Sequence, residues 1–196
     1  MAKLTKADLL PYEQYKNLHE KFLKEVIAEK KFRRIAISEK ISGLFESRLT
    51  VFYQIQEMIR AEQITNQEYI EEMLEVYNDL LPEENELTMT LFIEIPNQEE
   101  LRAFNKTIVG IENTVQLLFD DQLVTSYEPM DDQEGDADEA YTQSVHYLHF
   151  PFTLEQKQAF LQANEVQIKI NHQNYQVNKN LSNELIKSLQ AQLANL

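Results

Sequence analysis

The chain contains no cysteine and only 3 glycines in 196 residues. A chain of this length ordinarily carries roughly 14 glycines, at the usual share of about 7%. Gly43, Gly110 and Gly135 stand alone. Neither G-x-G-x-x-G nor a Walker A loop can be assembled from them, which excludes the common phosphate-cradling loops. The lack of cysteine removes disulfides, thiol nucleophiles, cysteine–zinc sites and cysteine-ligated iron–sulfur clusters. Long apolar runs are missing too. Nothing approaches the ~18 consecutive apolar residues of a membrane span. The opening residues, MAKLTKADLLPYEQY, carry lysines but no apolar stretch, so no secretion signal is expected. These exclusions lead to the expectation of a cytoplasmic protein with no cofactor of its own.

Positive charge is also scarce, with 18 basic against 33 acidic side chains and a net charge of −15. The imbalance is uneven: +4 in residues 1–34, −11 in 35–119, −9 in 120–139 and +1 in 140–196. Such a chain repels phosphates and anionic lipid, so neither nucleic acid nor a membrane is an expected partner. The one basic cluster, Lys30, Lys31, Arg33 and Arg34, is read as the cationic end of a helix complementing its dipole.

With 43% hydrophobic residues the chain has the composition of a globular protein. Tyr15, Leu18, Phe22 and Val26 trace one helical stripe, and Val51, Phe52, Ile55, Met58 and Ile59 another. A third helix is expected to open at Thr65 and Glu68, burying Ile70, Met73, Leu74, Tyr77 and Leu81. Leu87, Met89, Leu91, Ile93 and Ile95 alternate strictly with their neighbours and form the clearest strand. Capped helices follow Asn97 and Thr153, and a last amphipathic helix runs from Leu181 to Leu193. Short strands are expected at 114–119, 122–127, 144–150, 166–170 and 175–177. Helices and adjacent strand pairs are interleaved without regular β-α-β units. This predicts a single α+β domain over residues 1–196, with a mixed or largely antiparallel sheet, about six helices and a mobile acidic loop at about 128–142.

Candidate chemistry is thin. Aligning Gly135 with the sixth position of a calcium loop puts Met130 and Tyr141 where carboxylates are required, so no metal site is expected there. His146 and His149 form H-x-x-H, but the odd spacing on a strand sends them to opposite faces. The densest mixture of polar and apolar residues is FESRLTVFYQIQEMIRAE, Phe45 to Glu62. On a helix Gln54 and Glu57, and Glu57 and Arg60, are neighbours. Glu46, Arg48, Gln54, Glu57, Arg60 and His146 are therefore the candidate ligand-binding residues. In that reading an arginine holds an anionic group and Glu57 acts as acid or base.

The same segment, with KLTKADLLPYEQY (Lys3–Tyr15), ELTMTLFIEIP (Glu86–Pro96), VGIE (Val109–Glu112) and VHYLHFPF (Val145–Phe152), carries a resemblance along nearly the whole chain. The chain resembles a bacterial family of uncharacterised proteins, a domain of unknown function. The resemblance implies genes often placed near rubrerythrin-like and iron–sulfur oxidoreductase genes. It supplies no catalytic residues. The leading expectation is an accessory or interaction protein beside redox or peroxide metabolism, with a redox enzyme as partner. The alternative is a small-molecule-binding protein or enzyme built on the Glu57/Arg60 cluster. A homodimer pinned by that cluster is the third.

Overall fold

In the computed structural model, which describes residues 1–129 and 141–196, the alternating run builds the central strand β3 (Glu86–Ile93). It lies in a sheet with β1 (Arg34–Ala36), β2 (Ile41–Phe45) and β6 (Val145–Pro151), in the order β1-β2-β3-β6. A second sheet has the order β5-β4-β7-β8, from β4 (Val115–Phe119), β5 (Gln122–Thr125), β7 (Gln167–His172) and β8 (Tyr175–Asn180). Every pairing in both sheets is antiparallel. The α+β class and the strand direction agree with the sequence, but the strands divide into two sheets of four. Among the described residues one bridge links them: the amides of Tyr127 and His149 each donate to the other's carbonyl, at 3.0 and 2.8 Å. Of the acidic loop expected at 128–142, residues 130–140, and with them most of the calcium-loop reading, lie outside the described residues.

Six α-helices occur among the described residues: α1 (Tyr12–Arg33), α2 (Arg48–Glu62), α3 (Gln67–Asn78), α4 (Gln98–Thr107), α5 (Leu154–Gln162) and α6 (Asn183–Ala194). Asn97 and Thr153 cap α4 and α5 as their spacing predicts. Helix α3 starts one residue later than expected. Asn66, not Thr65, accepts from the free amides of Glu68 and Tyr69, at 2.9 and 3.3 Å. No helix among the described residues is long and apolar enough to cross a membrane.

The register gives each face its role. Leu87, Met89 and Leu91 of β3 point with Phe45, Leu148 and Phe150 into one core, which the second sheet completes through Val115, Leu117, Ile168 and Ile170. Helix α6 adds Leu185, Ile186, Leu189 and Leu193 to that core. The opposite face of the first sheet meets the helices through a polar seam. Glu46, Thr50, Thr88 and Thr90 are all buried there. Beyond the seam, Val51, Ile55, Ile59, Ile70, Met73 and Leu74 of α2 and α3 make a second apolar cluster.

Candidate functional site

The segment singled out in the sequence does not build one site. Glu46, only 1% exposed, accepts hydroxyl hydrogen bonds from Thr90 at 2.5 Å and from Thr50. Gln54 brings its amide to 3.4 Å of the same carboxylate. Arg48 pairs instead with Asp8 at 2.8 Å on the half-exposed surface. Glu57 and Arg60 form a two-pronged ion pair at 3.0 and 2.9 Å, and the Tyr15 hydroxyl donates to Glu57 at 2.8 Å. His19 lies 3.1 Å from the same carboxylate. The Arg60 guanidinium, opposed by partial burial and aided by Tyr15, holds the Glu57 carboxyl down at about 2. Burial, then Glu57, pushes the Tyr15 hydroxyl up. This group joins α1 to α2.

His146 is elsewhere, on β6, where a cavity of about 700 Å³ opens beside the strand. Of the six candidates, only His146 lines it. Among the described residues four segments meet there: the end of α3, the turn at Gly110 between α4 and β4, the residues after β5, and β6 with the residues before it. Gly110 has φ +87, a left-handed conformation that glycine adopts without steric cost. The next wall is fixed from behind, since the Ser126 hydroxyl donates to the Glu112 carbonyl at 2.6 Å.

The cavity wraps the free edge of the sheet, which explains why both His146 and His149 line it from opposite faces. His149 spends its outward backbone groups on Tyr127, so Tyr147, two residues away, directs its own to the same edge. Among the described residues no strand covers Tyr147 there. Its amide donates to the Glu128 carboxylate at 2.6 Å. The other Glu128 oxygen faces His146 Nδ1 at 2.6 Å. Nε2 of the same ring lies 2.9 Å from the Thr142 hydroxyl and 3.1 Å from the Gln143 carbonyl. The second imidazole has its own carboxylate: His149 Nδ1 is 3.1 Å from Glu86. Burial pushes the Glu86 carboxyl up, but His149, the Glu83 amide and Tyr127 outweigh it and hold the group below its ordinary range.

Hydroxyl, imidazole and carboxylate thus follow one another as nucleophile, base and orienting group do in acyl transfer. The Gln143 carbonyl argues against that use. It can only accept, so it favours a proton on Nε2, where a general base must be free. Thr142 is itself buried. By contrast, the rim is built for contact: Val76, Val109, Tyr141 and Tyr147 are between 45% and 68% exposed. Burial, and then the carboxylates of Glu46 and Glu128, push the Tyr147 hydroxyl up, so it remains a neutral phenol.

A family model described as a protein of unknown function, DUF3501, matches residues 3–193. The chain belongs to this family. None of the curated proteins matches it. It is similar to a solved structure, a novel protein of unknown function from Burkholderia pseudomallei K96243. That likeness has 31% identity and a TM-score of 0.88, and covers 98% of this chain and 100% of the other. Within this DUF3501 fold, sequence reasoning missed Glu128, Thr142 and the tyrosine rim. The signal available was VHYLHFPF, whose two histidines fall on opposite faces as their spacing predicts. Their carboxylate partners come from β3 and from beyond β5, and no spacing within one element encodes them.

Proposed function

We propose that this protein is a cytoplasmic, non-catalytic binding protein that acts as an accessory to a redox enzyme, with the cleft beside β6 as its working surface. The observation that carries this reading is the exposed apolar and aromatic rim around a cavity of about 700 Å³. Side chains of that kind, gathered at one concavity, are the usual signature of a contact surface. The redox setting is supported only by the gene neighbourhood that the family resemblance implies. Affinity capture from native lysate tests the proposal, comparing wild type with Tyr147→Asp. An oxidoreductase recovered by wild type and lost in the variant is expected. Equal recovery by both, or no oxidoreductase with an accessible tag, would sink it.

A second reading, in which His146 activates the Thr142 hydroxyl, is favoured by the 2.9 and 2.6 Å contacts along the chain to Glu128. It requires an acyl adduct on Thr142 after exposure to an activated ester, seen by mass spectrometry and absent in His146→Gln.

A further inference from the structure

We infer that the β6 cleft is a site for a positively charged group, a lysine or arginine side chain presented by the protein partner. This inference rests on the binding reading above and specifies its chemistry. Three tyrosines, Tyr77, Tyr141 and Tyr147, line the cavity together with Asp79, Glu112 and Glu128. Among the described residues no lysine or arginine lines it. The two imidazoles do not cancel this charge, because each faces a carboxylate of its own, Glu128 for His146 and Glu86 for His149. Asp79 and Glu112 line the same cavity as the tyrosine rings, and carboxylates with aromatic rings are the combination that attracts an ammonium or guanidinium group.

Tyr141 already shows the geometry. The Arg102 guanidinium, outside the cavity lining, sits over its ring at 6.0 Å from the centroid. The rim decides the source of the charge. Val76 and Val109 are 68% and 45% exposed at the mouth. A free polyamine has no use for them, whereas a protein surface carrying the basic side chain would cover them.

The test uses the full chain, labelled with nitrogen-15 and titrated with Nα-acetyl-arginine amide and Nα-acetyl-lysine amide as side-chain probes. Nα-acetyl-glutamate amide and spermidine are the comparison ligands. Saturable shifts confined to residues 76–79, 109–113 and 141–149 are expected with the basic probes and not with the acidic one. Tyr147→Ala and Glu112→Gln, both at accessible positions, are expected to weaken those titrations about tenfold. Retained amide dispersion in each variant shows that the fold persists. Shifts of equal size with the glutamate probe, or none at the cleft with either basic probe, would overturn the inference. Spermidine binding tenfold tighter than both basic probes would overturn the side-chain source in favour of a free amine. Tyr147-dependent capture of a partner combined with silent basic probes would refute the charge assignment and leave the binding reading standing.

Discussion

Glu57 shows how a single carboxylate can serve as a structural clamp. Both of its oxygens are taken, by Arg60, Tyr15 and His19, and these partners come from α1 as well as from its own helix. The helical spacing of Glu57 and Arg60 was legible in the sequence. Tyr15 and His19 were not, because their contact depends on how α1 packs across α2 through the Tyr15, Phe22 and Phe52 rings. The folded carboxyl titrates at about 2, against an ordinary value of 4.5. A depressed folded pKa supplies stability above the unfolded pKa and loses it as the pH falls through the folded one. The group is largely solvent-screened, so its contribution is about 1 kcal/mol or less. Glu57→Gln should therefore cost that amount near neutrality, with the gap to wild type closing between pH 4.5 and pH 2. Urea midpoints measured across that range check it. A gap that stays constant, or widens in acid, would mean that the charge of Glu57 does nothing for the fold.

At the scale of the element, Gly43 sets the spacing between β2 and β3. A Cβ placed there would lie 2.6 Å from the Met89 sulfur and 2.8 Å from its terminal methyl. Met89 is fully buried, so its tip has little room to yield. Gly43→Ala should destabilise the protein by about 1–3 kcal/mol through overpacking. Adding Met89→Ala should then cost less than the sum of the two single changes, because the shared clash is relieved. Strict additivity in denaturant unfolding would place the strain elsewhere. The pattern of β3 was visible from its alternation, yet the sequence does not reveal that both faces are buried. Thr88 and Thr90 read as the solvent side of a strand. They are buried because Thr88 donates to the Leu80 carbonyl at 2.6 Å and Thr90 to Glu46. Arg33 shows the same limit. It reads as a cation at the exposed end of a helix, and it does close α1, but it turns into the seam, pairing with Glu29 at 2.8 Å and donating to the Glu46 carbonyl at 3.1 Å. A buried arginine with acceptors from three elements leaves no periodic trace. His146 and His149 fell on opposite faces as their spacing requires, whereas the cavity uniting them arises only because the sheet ends at β6.

For the molecule as a whole, the question is whether two apolar clusters behave as one domain. The helical cluster of α2 and α3 and the core between the sheets share no residue. They are held together across the polar seam, where Glu46 is tied to α2 through Thr50 and to β3 through Thr90. Arg33 brings α1 to the Phe45 and Glu46 carbonyls at 3.4 and 3.1 Å, and it also donates to Gln192 of α6. Gln192 in turn donates to the Glu46 carbonyl at 3.2 Å. Opening either cluster therefore strands buried polar groups of the other, each costing roughly 1–3 kcal/mol if left unpaired. That coupling predicts one cooperative transition, with calorimetric and van't Hoff enthalpies in agreement. Ile55→Ala in the helical cluster and Leu117→Ala between the sheets each remove a fully buried side chain. Each should cost about 2–5 kcal/mol and lower the same melting temperature by roughly 2–4 °C per kcal/mol. If Ile55→Ala splits the melt in two while Leu117→Ala moves only the upper step, the seam does not couple the clusters. The helices would then unfold as a unit of their own.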